Sequence, residues 1–217
     1  LYIGVSEMRS NNTDTIAAIA TPMGVGGISI VRISGERALR IAAGVFRGNS
    51  DLAGVASHTA NFGRVVDDDG RIIDEVVATI FIGPNSYTGE DTVEISCHGG
   101  ILVTRQILET LFRKGARHAE AGEFTKRAFL NGKMDLSQAE AVADVIHAQS
   151  SMAREASIQQ LEGELSNRIH RLRSRLIDSV GLLELELDFA EEDLEFIDRK
   201  EFTKTVILAR DEISKLA

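Results

Sequence analysis

Glycine and proline are confined almost entirely to one part of the chain, and that asymmetry limits the folds open to it. Of 19 glycines, 17 lie at or before Gly132, and so do both prolines, Pro22 and Pro84. Glycine supplies the positive-φ positions of tight turns, and proline interrupts helices. The first 132 residues therefore read as strands, turns and short helices, and the remainder as long helices. The expected class is α+β: an amino-terminal mixed β-sheet domain with flanking helices, then the long helices of an incomplete helical domain. The boundary is expected near Ala119–Glu123, dividing the chain into residues 1–13, 14–120 and 121–217. Residues 1–13 are read as disordered or vector-derived, since Leu1 is not a start methionine.

Local pattern fills in the elements. Apolar, β-branched runs at Thr15–Thr21 and Ile28–Ser34 predict two strands separated by Gly24–Gly27. A short helix is expected over Gly35–Phe46. His58–Val66 and Arg71–Ile82 read as a hairpin turned by Asp67-Asp68-Asp69-Gly70. Thr92–Cys97 is a further strand, and Gly99-Gly100 admits a helix from Ile101 to Lys114, stopped by Gly115. Beyond it, Glu123–Leu130 forms a short helix ended by Asn131-Gly132. Asp135 or Ser137 caps a helix running to about Gln149, and Ser150 or Ser151 caps the next. From Ile158 to Leu187 apolar residues recur at steps of 3, 4, 4, 3, 4, 4, 3 and 4, one stripe sustained for about eight turns. A last helix starts at Lys200 and meets no stop signal, so the chain is expected to be a fragment.

Composition excludes several functions. A net charge of −9 repels polyanions and disfavours a stand-alone nucleic-acid binder. Aromatics at 5%, with no Trp, disfavour a platform of stacking rings. The single cysteine, Cys97, excludes an internal disulfide and a zinc site of several thiolates. No apolar run reaches the length of a membrane span, and the first dozen residues lack the apolar middle of a signal peptide.

Several constellations bear on chemistry. No GxxxxGK[ST] phosphate loop occurs in the 217 residues, and Gly24–Gly27 leads into a strand rather than a helix. Cys97 and His98 are neighbours on a strand and point to opposite faces, so they form no nucleophile–base pair. No catalytic residue and no metal ligand is assigned. Glu94 shares a strand face with Thr92 and Ser96. It is open to two readings: a carboxylate in a solvated ion pair, or an acceptor of two parallel N–H bonds from a guanidinium or a pterin edge. Arg32 lies on a row with Ile28 and Ile30, where its charge needs an anion, either Glu94 or a ligand group. Lys133 sits in the junction between two helices, as a surface lysine or a ligand contact. The turn-rich loop Pro84–Asp91, which carries Tyr87, is either plain surface or the wall of a pocket or dimer contact. The basic stretch Arg168, His170, Arg171, Arg173 and Arg175 reads as a solvated helix face. So does the acidic stretch Glu184, Glu186, Asp188, Glu191, Glu192, Asp193 and Glu195, whose spacing fits no calcium loop.

Taken in order, seven strings resemble the MnmE (TrmE) family of tRNA-modification GTPases. They are residues 14–22, 26–35 (Gly-Gly-Ile-Ser-Ile-Val-Arg-Ile-Ser-Gly), 83–91, His98-Gly99-Gly100, 121–125, 127–136 (Arg-Ala-Phe-Leu-Asn-Gly-Lys-Met-Asp-Leu) and 138–144. The resemblance covers Asp14 to Ala217. It implies a first domain like the folate-binding domain of aminomethyltransferases, paired in a homodimer. It also implies a bound 5-formyltetrahydrofolate or related reduced folate, whose family contacts fall on Arg32, Glu94 and Lys133. It implies work with the flavoprotein MnmG (GidA) to place an aminomethyl or carboxymethylaminomethyl group on C5 of the wobble uridine of tRNA, in the cytoplasm. GTP, Mg2+ and K+ enter only through a G domain expected to be missing here. Two alternatives remain at this point: a stand-alone folate-dependent one-carbon transferase, and a non-enzymatic helical dimerisation module.

Overall fold

The computed structural model describes residues 14–188 and 199–216. The expectations for residues 1–13 and for Glu191, Glu192, Asp193 and Glu195 lie outside the described residues. The chain divides into two compact units, with the division between Ala139 and Glu140.

The first unit is built on a seven-stranded mixed sheet of order β3-β4-β5-β6-β2-β1-β7. Its strands are β1 (Ile16–Ile19), β2 (Gly26–Ser34), β3 (Phe46–Gly48), β4 (Thr59–Val66), β5 (Ile72–Phe81), β6 (Thr92–Gly99) and β7 (Arg117–His118). All neighbours are antiparallel except β1 and β7. Helices α1 (Ala38–Val45) and α2 (Ile101–Arg113) pack on one face of the sheet. The strand period of two explains why. Val31 and Ile33 of β2, Ala78 and Ile80 of β5, and Val93 and Ile95 of β6 are all 0% exposed, and the residues between them, Arg32, Thr79 and Glu94, are half-buried. They join Ile41, Val45, Ile107 and Leu111 of the two helices in one core. The opposite face has no such layer: Ile28 and Phe62 remain 70% and 68% exposed.

The α+β class is thus as expected, with local differences. Gly26 and Gly27 belong to β2 rather than to the turn before it, because Gly26 pairs with Gly99. A side chain at Gly99 would strike the Gly26 carbonyl, so two glycines let the strand ends approach closely. Phe46 turns out of α1 into β3. Two-residue β7 carries no sequence signal and forms because Arg117 N–H and Ala119 N–H donate to the Thr15 and Ala17 carbonyls.

Helix α3 (Glu123–Leu130) lies in the first unit, past the boundary that composition suggests near Ala119–Glu123. Long-range ionic bonds hold it there, and composition does not encode them. Helix α4 (Leu136–His147) opens on a reciprocal capping box: Gln138 N–H donates to Asp135 Oδ1, and Asp135 N–H to Gln138 Oε1, each at 2.9 Å. Asp135, not Ser137, is therefore the cap.

The second unit is helical. Ser150 caps α5 (Ser151–Leu161), its side chain accepting from Ala153 N–H at 3.1 Å. The apolar stripe expected to run through one long helix is interrupted. Gly163 adopts φ +79°, its N–H bonds back to the Gln160 carbonyl, and α6 (Glu164–Asp188) starts afresh. That φ strains any residue with a side chain, so glycine ends α5 despite unbroken apolar periodicity. Helix α7 (Arg199–Leu216) completes the described residues.

Candidate ligand-binding site

The strand face turned away from α1 and α2 carries a charged pair in register. Arg32 of β2 lies opposite Glu94 of β6, with Ala18 and Thr79 as the next residues across the sheet on either side. Small neighbours leave the pair unroofed from the sheet, and the two side chains are 25% and 22% exposed. Arg32 Nε donates to Glu94 Oε1 at 2.8 Å, and Nη2 reaches the same oxygen at 2.7 Å. Among the described residues, Glu94 Oε2 and Arg32 Nη1 have no hydrogen-bond partner. The pair therefore keeps one acceptor and one donor unused.

Two rings flank the guanidinium. Its Cζ lies 5.1 Å from the Tyr87 ring centre and 5.4 Å from that of Phe124, within cation–π range. Tyr87 comes from the loop between β5 and β6, and Phe124 from the first turn of α3. The two are linked, because the Tyr87 hydroxyl lies 2.9 Å from Thr125 Oγ1. Lys133 follows α3 and donates from Nζ to the Pro84 carbonyl of the same loop at 2.9 Å. Its stem leaves little room beside Gly89, where an added Cβ would meet Cγ at 3.2 Å. Arg32 and Glu94 are thus brought into direct contact, and Lys133 is joined to them through the loop carrying Tyr87.

A second ionic cluster lies behind the first. Arg127 of α3 is 2% exposed. Its Nη1 donates to the Asp14 carbonyl at 3.0 Å and to both Glu90 oxygens at 3.2 and 3.3 Å. Nη2 donates to Asp14 Oδ1 at 2.7 Å and Glu123 Oε1 at 3.0 Å. Arg117 adds contacts to Glu123 at 2.6 and 3.1 Å and to Asp14 at 2.7 Å. Burial alone pushes the Glu123 carboxyl up, but bonds from Arg117, Glu120 N–H and Arg127 outweigh it and hold it at about 2. Glu90 also accepts from Ser34 Oγ at 2.8 Å, tying the loop to β2.

Other sequence candidates stand apart. Cys97 is buried, its thiol pushed up by burial and donating to the Ser29 carbonyl at 3.4 Å. Exposed His98 turns the other way, with Nδ1 2.7 Å from Asp74 Oδ1. A cleft of about 290 Å3 lies elsewhere, between the β1–β2 turn and α2, lined by Met23, Ser29, Ile101, Thr104 and Leu108 among others. None of Arg32, Glu94 or Lys133 lines it. Arg168, His170, Arg171, Arg173 and Arg175 are exposed along α6. No cluster able to hold a metal ion occurs among the described residues.

Phe124, Arg127 and Glu90 were not singled out in the sequence. Phe124 reads as one more apolar helix residue, and Arg127 as a surface cation. Glu123 is an i,i+4 partner of Arg127, a spacing equally common on exposed helix faces, while Glu90 and Asp14 lie 37 and 113 residues away, so local spacing does not mark the cluster.

Fold and site define a class: an α+β sheet domain presenting an incompletely used charged row on its uncovered face, followed by a helical unit. A family model described as "GTP-binding protein TrmE N-terminus" matches residues 15–133. One described as "MnmE helical domain" matches residues 136–217. The chain belongs to the MnmE (TrmE) family of tRNA modification GTPases. It is 50% identical over 91% of its length to the tRNA modification GTPase MnmE of Cytophaga hutchinsonii, and 53% identical over 88% to that of Flavobacterium johnsoniae. To that of Lactobacillus acidophilus it is 47% identical over 94%. It spans 42%, 41% and 44% of the length of these three relatives.

Proposed function

We propose that this chain is the reduced-folate-binding and dimerising part of a GTPase that modifies C5 of the wobble uridine of tRNA, installing an aminomethyl or carboxymethylaminomethyl group. The observation that carries this reading is the half-used pair Arg32–Glu94. A pterin's amino-pyrimidinone edge has N–H donors beside a carbonyl acceptor. Glu94 Oε2 is an acceptor for such donors, and Arg32 Nη1 is a donor for the carbonyl. The residues present therefore fit the group. Lys133 supplies an ammonium for a formyl or carboxylate oxygen, and the Tyr87 and Phe124 rings keep the guanidinium in place. Bound there, 5-formyltetrahydrofolate or a related folate would provide the one-carbon unit, and the protein's part is to hold and orient it.

Pairing of two copies rests on the family resemblance. The folate-binding and dimerising role falls to residues 14–120 with Lys133. GTP hydrolysis with Mg2+ and K+, the flavoprotein partner MnmG, tRNA and a cytoplasmic location belong to the reading for the whole protein. Among the described residues, no helix is long and apolar enough to cross a membrane.

Calorimetric titration with 5-formyltetrahydrofolate tests the site. Glu94→Ala is expected to abolish measurable binding while the protein stays folded. Unchanged affinity removes the assignment. Sedimentation equilibrium tests the pairing, with a mass near twice 23.6 kDa expected.

A further inference from the structure

The loop between β5 and β6 and helix α3 are separate in sequence, yet together they carry the aromatic flank of Arg32 and the anchor of Lys133. Four contacts stitch them together. The Tyr87 hydroxyl meets Thr125 at 2.9 Å, Asn131 Nδ2 donates to the Thr88 carbonyl at 2.7 Å, and Lys133 Nζ donates to the Pro84 carbonyl at 2.9 Å. Arg127 to Glu90 is the fourth, and here the donor is an almost wholly buried charge, at 2% exposed. Arg127 also reaches Asp14, just ahead of β1, while Glu90 bonds Ser34 at the end of β2. The guanidinium thus joins loop, helix and sheet at one point.

We infer that Arg127 is a positioning residue for the ligand site: it locks loop and α3 into one wall, so that Tyr87 and Phe124 stay against the Arg32 guanidinium and Lys133 stays anchored to the loop in a fixed arrangement. This rests on the folate reading above for its ligand, but not for its geometry. Arg127 itself is too buried to touch a ligand on the open face and acts through Glu90 and Glu123. A planar fork that spans Asp14 and Glu90 at once is a demand lysine does not meet. A wall free to shift by even about 1 Å would misplace these three side chains together.

The chain contains no Trp and two tyrosines, Tyr2 and Tyr87. Tyr2→Phe therefore leaves Tyr87 as the only strong intrinsic fluorophore and a reporter of the wall. In that background, acrylamide quenching of Tyr87 and calorimetric affinity for 5-formyltetrahydrofolate are measured for Arg127→Gln, Arg127→Lys, Glu90→Gln and Arg117→Gln. Arg127→Gln and Arg127→Lys are expected to raise quenching and weaken the folate on the order of tenfold or more, with far-ultraviolet dichroism unchanged. Glu90→Gln loosens only the loop side and shifts both readouts less, in the same direction. It decides the matter if the Arg127 variants do not fold. Arg117→Gln removes the outer cation of Glu123 and Asp14 without touching the loop, so it lowers the melting temperature and shifts quenching and affinity less than Arg127→Gln does. If the Arg127 and Glu90 variants change only the melting temperature, the positioning role is overturned. If the parent binds no folate, the folate reading fails, and Tyr87 quenching in the ligand-free protein decides the role of Arg127.

Discussion

Arg127 and Arg32 are both arginines paired with carboxylates in the first unit, but their surroundings differ. Arg127 is 2% exposed and meets Asp14, Glu90 and Glu123; Arg32 is 25% exposed and places two nitrogens on one oxygen of Glu94. A buried charge requires near-complete pairing, since an uncompensated ion in the interior costs several kcal/mol. A pair at the edge of solvent tolerates an unused donor and acceptor, because water satisfies them at little cost. Three carboxylates from separate segments around one buried guanidinium suit holding elements together, whereas a single pair at the edge of solvent leaves groups available to a ligand. On this view the two clusters divide the labour of one site.

Unfolding measurements can break or sharpen the contrast. The largest effect is expected for Arg127→Ala, which leaves Glu90 without a cation and Asp14 and Glu123 with Arg117 alone, and should cost about 3 kcal/mol in urea unfolding. Arg32→Ala should cost about 1 kcal/mol or less. Equal costs would erase the distinction. Next comes acid. The Glu123 carboxyl sits at about 2 in the folded chain against an ordinary 4.5. Its contribution is therefore complete above pH 4.5 and is lost as pH falls toward 2, roughly 3 kcal/mol at the limit. Unfolding free energies from pH 5 to 2 should fall steeply in the parent and less in Glu123→Gln. Asp135→Ala, which removes the reciprocal cap of α4, should cost about 1 kcal/mol, read by thermal unfolding. Smallest is Arg64→Ala. Its pair with Glu75 spans 3.0 Å but is about half exposed on both sides, so a change within about 0.5 kcal/mol is expected.

Much of the fold was legible because its signals are local. The Asp67–Gly70 turn, the alternation of β6 and the Ser150 cap each need only a few adjacent residues, and each appears where expected. Arg32 and Glu94 stood out because a charge among apolar or hydroxyl neighbours on a strand is anomalous by itself. Their mutual register is different information: 62 residues separate them, and either partner for Arg32 satisfied the sequence. Gly163 shows the opposite failure, where a strong apolar period masked a single backbone conformation.

By itself, the sequence determined the α+β class, most of its strands and helices, and the residues whose polarity conflicts with their row. Those are consequences of backbone sterics and side-chain period, which act over a few residues. Only the tertiary structure decided that α3 joins the sheet, that Arg127 is the buried centre of an ionic cluster and that Glu94 keeps one oxygen free. These depend on the mutual distance of groups far apart in the chain, and electrostatic pairing is governed by that distance and by access to water, not by order along the backbone.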